Sequence, residues 1–238
     1  MKKQVSPNIA IFIFVVLCVI SCKKKKNDNP FGNTKIATVD LTQYGATTHS
    51  RLVYDINNNV DSIITTGPGL YHYKKFGYFG TSYNVTDENN YTFEVEANAS
   101  GMILKILVTD TMSMIYNGNQ LGELDTKTAS PIYPYYVKSS VNYTWSNGDV
   151  ATMGSQTYVY DPGKSGQPGD AIRIDQFLAY GRSYIKTTHL PTDLKNNATD
   201  TVEKYFYQFD AGGRISQLTK LTNISGGVGD STIYVFGY

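Results

Sequence analysis

Short runs of alternating aromatic and polar residues, each followed by turn residues, recur along this chain of 238 residues. The clearest run places Tyr205, Tyr207 and Phe209 at every second position, with Phe206 between them, and turn residues follow at 210–213. Successive side chains of a β-strand point to opposite faces, so this alternation predicts a strand with one aromatic face. Tyr occurs 20 times and Gly 21 times, and these residues favour strands and turns respectively. The pattern predicts an antiparallel all-β protein.

The turns after these runs share a spacing. In two copies an Asp is followed by aliphatic residues five and eight positions later (Asp55, Val60 and Ile63; Asp210, Ile215 and Leu218). Asn58 and Gly213 occupy the same place in the two turns, and both residue types tolerate positive φ. In a third copy Asn147-Gly148 predicts a two-residue type I′ turn, and residues 91–106 form a fourth copy with a longer loop. The chain is therefore expected to consist of β-hairpins at uneven intervals.

Other runs complete the expected fold. Strands are predicted at residues 70–76, 80–86, 113–116, 156–160, 184–188 and 231–238, and loops at residues 161–170 and 192–199. Ile174–Tyr180, followed by Gly181, predicts one short helix with Gly as its C-terminal stop. The expected fold is all-β, with antiparallel hairpins that form a soluble barrel or a strongly curved open sheet, and at most one short helix.

The N-terminal segment is typical of a secretory signal. Two lysines precede twelve apolar residues, Ile9–Ile20, whereas a helix that crosses a bilayer needs about 20. Residues 19–22 (V-I-S-C) resemble a lipobox, at which the lipoprotein signal peptidase cuts and leaves a diacylated cysteine. We expect residues 1–21 to be removed and Cys22 to carry the lipid anchor, while Cys18 is a small apolar residue. An ordinary signal peptide and an uncleaved anchor are the alternatives.

A lysine-rich tether, residues 22–33, is expected before a single antiparallel β domain, residues 34–238. Lysines beside a bilayer attract anionic head groups, although a solvated spacer explains them as well. Lys23 stands where an Asp would be the usual inner-membrane retention signal of Gram-negative lipoproteins. The residue therefore favours the outer membrane, with the protein on its periplasmic face or at the cell surface.

Charge and cysteine content exclude some classes of protein. Removal of residues 1–21 takes two of the 21 Lys and Arg, which leaves 19 against 20 Asp and Glu. This balance argues against a nucleic-acid partner, because such a partner requires a basic patch. Both cysteines lie at or before position 22, so no disulfide is expected in the β domain. A domain of about 200 residues can bury a sufficient core without one.

Motifs for zinc and phosphate binding are incomplete. The three histidines, His49, His72 and His189, are too scattered for a zinc site. Residues 163–165 (G-K-S) mimic the end of a phosphate loop, but Tyr158 stands at the required first Gly position. We expect no metal and no cofactor.

The carboxylate motifs for calcium binding and for catalysis are also incomplete or have simpler explanations. Residues 55–61 place oxygen ligands at alternate positions as in a calcium loop, but Val60 and Thr66 replace the required Gly and acid. Glu94 and Glu96 share a strand face and could in principle act as paired acids, but exposed acids on a sheet edge explain them better. No catalytic residues are predicted, so the protein is not expected to be an enzyme.

Two further features concern the surface. Residues 71–79 (Y-H-Y-K-K-F-G-Y-F) are the densest aromatic run, and exposed rings there would stack on sugars or on another protein. The alternation instead favours Tyr71 and Tyr73 as one buried face of a strand. D-S-I, D-T-M and D-T-V at residues 61–63, 110–112 and 200–202 resemble an acceptor motif for O-linked glycans of exported proteins, although Ser62 is more simply a strand residue.

The stretch from Tyr143 to Tyr238 carries a wider resemblance. Its motifs are Y-T-W-S-N-G-D-V, T-Y-V-Y-D-P-G, I-R-I-D-Q-F-L-A-Y-G-R and Y-F-Y-Q-F-D-A-G-G-R-I. It resembles a family of uncharacterised bacterial lipoproteins with a porin-like fold, and the hairpins resemble the tyrosine-aspartate repeats of bacterial surface proteins. The resemblance covers about 95 residues and implies a fold and a location, because the family has no assigned activity.

A porin-like fold raises the alternative of a membrane barrel. Thr232, Tyr234, Phe236 and Tyr238 alternate up to a terminal aromatic residue, as in outer-membrane barrels. Most strands, however, carry Thr, Asn, Lys or Glu on one face and aromatic residues on the other. That pattern favours a sheet in water with one buried face.

These observations predict a membrane-anchored lipoprotein of the cell envelope that acts as a binding or scaffold module for a glycan, a lipid or another envelope protein. The alternatives are a purely structural envelope protein without a ligand and a carbohydrate-active enzyme. A concave face with exposed aromatic rings would favour binding, and a filled interior would favour the structural role.

Overall fold

A computed structural model describes residues 35–99, 101–107, 111–129, 136–196, 200–222 and 229–238 of the chain. These residues form sixteen strands and one short helix: β1 Thr38–Gln43, β2 Ala46–Tyr54, β3 Val60–Gly67, β4 Leu70–Phe79, β5 Ser82–Asp87, β6 Thr92–Ala97, β7 Ile103–Leu107, β8 Thr111–Asn117, β9 Gln120–Ala129, β10 Tyr136–Ser146, β11 Asp149–Met153, β12 Gln156–Ser165, α1 Ile174–Tyr180, β13 His189–Lys195, β14 Thr201–Phe209, β15 Ile215–Thr222 and β16 Ser231–Gly237. Lys35–Tyr238 is one compact unit.

The strands form a closed antiparallel barrel. Each strand pairs with the next along the chain, and β16 returns to pair with β1, for example Phe236 opposite Val39. The all-β prediction is confirmed, and the barrel rather than the open sheet is the correct alternative. Both ends of the described chain lie at one end of the barrel, which we call the plug end, and the opposite end is the far end.

Local hydrogen bonding explains the repeated turn. Asp55 Oδ1 accepts hydrogen bonds from the backbone N–H groups of Asn57 and Asn59, both at 2.8 Å. Asp210 does the same for residues 212 and 214, at 2.9 Å. The carboxylate thus closes the turn, as Asx turns do, and the third residue after the Asp takes positive φ. Asn58 (φ 68°) and Gly213 (φ 75°) confirm this part of the prediction.

The Asn147-Gly148 turn is also confirmed. Both residues have positive φ, 53° and 83°, as a type I′ turn requires. A Cβ at Gly148 would lie 2.2 Å from the Thr188 hydroxyl oxygen, so the position needs Gly for space as well as for conformation.

The aromatic faces of the strands point into the barrel. Tyr205 is buried and its neighbour Phe206 is exposed, as the alternation predicts. Tyr234 and Phe236 on β16 are buried as well, so this strand turns its aromatic residues away from the outer surface. Fully buried inward side chains on strands around the barrel form the core (Val39, Tyr83, Val85, Val95, Ile106, Leu121, Leu218).

The predicted burial of Tyr71 and Tyr73 is wrong. Tyr71 is 60% exposed and Tyr73 is only partly buried, because both point outward from β4. The strand places Phe76 and Tyr78 in the core cluster. Since side chains alternate along a strand, positions 71 and 73 must then lie on the outer face.

The connection between β12 and β13 differs from the prediction in three ways. Residues 184–188 are not a strand, β13 covers residues 192–195, the first half of the predicted loop at residues 192–199, and β12 extends to Ser165 into the predicted loop at residues 161–170. Residues 184–188 have strand-like composition, but the hydroxyl of Tyr116 and the guanidinium of Arg173 bind their carbonyl oxygens instead of a neighbouring strand. The helix Ile174–Tyr180 is confirmed, and Gly181 ends it with φ 69°.

Candidate functional site

Residues 166–188, which we call the plug, occupy the interior of the barrel. Inward side chains from several strands hold them: Tyr83 Oη donates to Tyr180 O at 2.7 Å, Tyr116 Oη to Tyr184 O at 3.1 Å, and Ala171 N–H donates to Tyr207 Oη at 3.3 Å. A Cβ on Gly181 would lie 2.8 Å from the ring of Phe76, and one on Gly169 would lie 3.2 Å from the ring of Phe236. The plug therefore packs closely against strands on different sides of the lumen.

A buried ion pair fixes the start of the plug. Asp170 is fully buried, and its Oδ1 accepts the N–H groups of Ile172 at 3.1 Å and Arg173 at 3.0 Å. Its Oδ2 lies 3.1 Å from Arg173 Nε, and the guanidinium also donates to Thr187 O across the plug. Burial raises the pKa of Asp170, while the adjacent Arg173 opposes the shift. The ion pair joins the two ends of the plug.

Lys74 holds the other end of helix α1. Its Nζ donates to the carbonyl oxygens of Leu178 at 3.2 Å and Ala179 at 3.4 Å. These are carbonyls of the last turn, which have no partner within a helix, and the negative end of the helix dipole favours a cation there. Burial lowers the pKa of Lys74. An inward lysine on β4 thus fixes the helix against the barrel wall.

A ring of aromatic donors lines the plug end. Each donor lies on an even-numbered strand or directly after it and binds a carbonyl oxygen at or near the start of the preceding strand: Tyr54 to Ile36 (2.7 Å), Tyr78 to Val60 (3.0 Å), Tyr116 to Ile103 (2.7 Å), Trp145 to Leu121 (2.7 Å), Tyr160 to Val150 (2.9 Å) and Tyr238 to Ile215 (2.8 Å). Because a buried carbonyl without a partner is costly, these hydroxyl and indole groups give a structural role to five of the 20 tyrosines and to Trp145. The Tyr-Asp dipeptides at 54–55 and 160–161 are the sequence signal that could have indicated this ring of hydrogen bonds.

We expect this ring to make the barrel sensitive to alkali. Burial raises the pKa of Tyr54, Tyr78 and Tyr238 to about 12, from 10.0 in an unfolded chain. The neutral hydroxyl is favoured in the folded state, so its contribution to stability is complete below pH 10 and is lost as the pH rises towards 12. Tyrosinate absorbance and near-ultraviolet circular dichroism should change together in that window. Full ionisation near pH 10 with the barrel intact would contradict the expectation.

A pocket of about 320 Å³ lies between helix α1 and strands β1–β4, towards the far end. Its lining combines a few apolar residues with hydroxyl, imidazole, ammonium and carboxylate groups (Leu41, Thr48, Ser50, Ile63, Thr65, His72, Lys74, Asp175, Leu178, Ala179). The Ser50 and Thr65 hydroxyls are 2.8 Å apart, and Asp175 accepts from Tyr234 Oη at 2.7 Å. The volume is at the lower end of small-molecule cavities, which span roughly 300–1,000 Å³. We call this cavity the far-end pocket.

A second pocket, of about 390 Å³, opens at the plug end and is basic. Arg173, Arg182 and Lys186 line it together with Phe177. Arg182 donates to Asn59 Oδ1 at 3.1 Å, and its guanidinium lies 5.2 Å from the ring centres of two core tyrosines. Lys186 is exposed. We call this cavity the basic pocket.

The histidines do not come together. His72 Nδ1 lies 2.5 Å from Glu88 Oε1, His189 Nδ1 lies 2.6 Å from Asp149 Oδ2, and His49 pairs with Asp40. Across the described residues, no group of three or more His, Cys, Asp or Glu side chains could hold a metal ion. Each histidine thus has its own carboxylate partner.

The remaining candidates have structural roles. In the calcium-like stretch 55–61, the Asp55 carboxylate is used within its own turn. Lys164 of the phosphate-loop-like stretch lies 4.8 Å from the ring centre of Phe209. Glu96 lies 4.0 Å from Lys105 on the outer face, but the expected sheet edge is wrong because β6 pairs with both β5 and β7.

The glycan-acceptor motifs and Cys22 are the last candidates from the sequence. Ser62 is only 5% exposed, so a glycan has no access to it in the folded barrel. Thr111 and Thr201 are the first residues of β8 and β14, and Asp110 lies outside the described residues. Cys22, the predicted lipid attachment site, also lies outside them, as does the whole predicted signal peptide.

No known protein family matches the chain, and no curated protein matches its sequence. Among the helices of the described residues, none is long and apolar enough to cross a membrane. The barrel is similar to a porin-like protein from Bacteroides uniformis, with a TM-score of 0.56, 13% identity, and coverage of 85% of this chain and 98% of that one. It is also similar to a porin-like protein from Bacteroides vulgatus, with a TM-score of 0.56, 16% identity, and coverage of 86% and 99%. At this level of identity the likeness shows that the fold is shared.

Proposed function

We propose that this protein is a lipoprotein of the bacterial cell envelope, anchored by lipid on Cys22, whose plugged barrel acts as a binding or scaffold module rather than as a pore. The observation that carries the proposal is the plug, because residues 166–188 occupy the lumen that a channel would need. The description of the two Bacteroides structures as porin-like supports an envelope location. Lys23 after the anchor supports the outer membrane, on its periplasmic face or at the cell surface.

The outer face of the barrel supports a position in water. Arg51, Lys75 and Lys204 are exposed near the middle of their strands, and Glu94 and Glu123 lie on the outer face of theirs. In a lipid-facing barrel, an Arg or Lys at the bilayer midplane costs about 2–4 kcal/mol. A charged outer face around an aromatic interior is the arrangement that water favours.

The far-end pocket is the binding site that we propose. Its hydroxyl groups, the Lys74 ammonium and the Asp175 carboxylate offer donors and acceptors on several sides of a cavity the size of one sugar ring. A small ligand that has both hydroxyl groups and an apolar face, such as one unit of a glycan, suits this lining of apolar and polar groups. The carboxylates near it, Asp175 and Glu203, are both paired with Lys220, at 3.3 and 3.6 Å, so we propose binding and not catalysis.

Neighbouring threonines provide a matched test of this site. Thr65 points into the far-end pocket, and Thr66 on the same strand is exposed on the outer face. Residues 33–238 are first used to capture glycans and envelope proteins. Calorimetry then measures the affinity of any captured glycan for the unchanged protein and for the variants Thr65→Val and Thr66→Val. Loss of one hydrogen bond, about 1 kcal/mol, should weaken binding to Thr65→Val about fivefold and leave Thr66→Val unchanged. Equal affinities would place the ligand elsewhere.

A purely structural role is the second candidate. The observation in its favour is the packed interior, in which buried aromatic and aliphatic side chains surround the plug. Capture experiments that return no glycan and no envelope protein would favour this candidate over the binding module.

A further inference from the structure

Apolar side chains are exposed along part of the plug-end rim. Ile56 is 97% exposed, Ile115 is 50%, Phe79 is 48% and Leu104 is 37%. They lie in the β2–β3 turn, near the end of β8, at the end of β4 and near the start of β7, which places them on successive hairpins at the same end of the barrel. Single exposed apolar residues are common. The far end also exposes large side chains, but they are tyrosines with a polar hydroxyl (Tyr44, Tyr71 and Tyr91), whereas the four at the plug end are hydrocarbon throughout, which favours an interaction surface there. We call these four residues the apolar rim.

Cations accompany the apolar rim. Arg182 and Lys186 line the basic pocket, and Gly101 of the β6–β7 hairpin forms part of the same wall. Arg182 also binds Asn59 in the turn that carries Ile56. The acidic side chains Asp55 and Asp210 at this end are used by their own turns. The surface therefore combines apolar side chains with the cations Arg182 and Lys186, which is a combination that anionic lipid surfaces attract.

The position of the chain ends indicates which surface the apolar rim contacts. Lys35 is the first described residue, and Ala37 N–H donates to Gly237 O at 2.7 Å, so the chain enters the barrel at the plug end. Cys22 precedes Lys35 by 13 residues (35 − 22). At about 3.5 Å per residue, such a segment spans at most about 45 Å. An anchor on Cys22 therefore attaches to the barrel at its plug end, which favours this end for contact with the bilayer.

We propose that the apolar rim docks on the anionic lipid surface that holds the anchor, with its apolar side chains in the interfacial layer and Arg182 and Lys186 beside the phosphates. The orientation rests on the proposed lipid attachment at Cys22. The affinity of the rim for lipid is a property of the barrel itself and requires no anchor.

Depth-dependent fluorescence quenching tests this orientation. Two variants of the lipidated protein are compared: Ile56→Trp at the plug end and Tyr44→Trp in a far-end turn, where Tyr44 is 74% exposed. Both variants keep the natural Trp145, whose fluorescence is common to the two. The proteins are reconstituted in vesicles of phosphatidylethanolamine and phosphatidylglycerol that contain brominated lipid. We expect at least twofold stronger quenching for Ile56→Trp than for Tyr44→Trp. Equal quenching at the two positions, or stronger quenching at the far end, would overturn the proposal.

The unlipidated chain separates this proposal from that of the anchor. Residues 22–238 with Cys22→Ser are sedimented with the same vesicles, and the paired change Ile56→Asp and Phe79→Asp should lower the bound fraction per lipid at least tenfold. Tyr44→Asp with Tyr71→Asp at the far end is the control, and thermal unfolding verifies that both variants fold. Unchanged binding of the rim variant, or equal binding to vesicles of neutral phosphatidylcholine, would overturn the docking. Absence of lipid on Cys22 in cells would leave this vesicle result intact.

Discussion

Asp170→Ala is expected to lower the free energy of unfolding by about 3–5 kcal/mol, because it leaves the largely buried Arg173 guanidinium without its counter-charge. The substitution also removes the acceptor for the N–H groups of Ile172 and Arg173 at the start of the plug. Denaturant titration followed by circular dichroism measures the loss. Asp161→Ala is the matched control, since Asp161 is partly exposed and its carboxylate accepts from Gly163 N–H at 2.8 Å, so its loss should be below about 1 kcal/mol.

A double variant separates the ion pair from packing. Replacement of a buried pair by apolar residues is often neutral, whereas removal of one partner leaves a buried charge. Asp170→Ala with Arg173→Met should therefore cost less than Asp170→Ala alone. A double variant that is as unstable as the sum of the two single variants would contradict the role assigned to the pair.

Cys22→Ser is expected to move nearly all of the protein from the membrane fraction to the soluble fraction. Two or more acyl chains give stable anchoring, at about 0.8 kcal/mol per buried methylene, and the variant has no thiol to carry them. A high-salt wash removes protein held only by the charges of the plug end. Cys18→Ser is the control, because it changes the other cysteine and keeps V-I-S-C intact. Retention of the Cys22→Ser variant in washed membranes would contradict the anchor.

The sequence indicates the fold class because alternation and turn chemistry are local properties. Tyr205, Tyr207 and Phe209 form an inward face, and Asn58 and Gly213 take positive φ, as their positions predict. Closure of the sheet into a barrel is not a local property, because an alternating strand has the same sequence pattern in an open sheet and in a barrel. The outward direction of Tyr71 and Tyr73 does not follow from the sequence for a related reason, since both faces of β4 carry aromatic residues and only the packing of Phe76 and Tyr78 selects the inner face.

The candidate site was beyond sequence reasoning for the same physical reason. The far-end pocket joins residues from Leu41 on β1 to Ala179 on α1, and no short motif links positions so far apart. Residues 184–188 have the composition of a strand, but the Tyr116 and Arg173 side chains bind two of their carbonyl oxygens, and Thr188 bonds to the backbone of Gly148 and Gly166. The lipobox-like residues 19–22, by contrast, form a short motif that sequence reasoning can find without the fold. Lipid attachment at Cys22 stays a prediction.

Cleavage of the tether tests the central claim, a water-facing plugged barrel held to the membrane by lipid on Cys22. A protease site inserted after Lys26 is cut in washed membranes of cells that make the lipidated protein, in the presence of high salt. We predict that the barrel leaves the membrane without detergent and unfolds cooperatively in solution. A cleaved barrel that stays in the pellet and dissolves only in detergent would contradict the account, because a barrel that spans the bilayer behaves in that way.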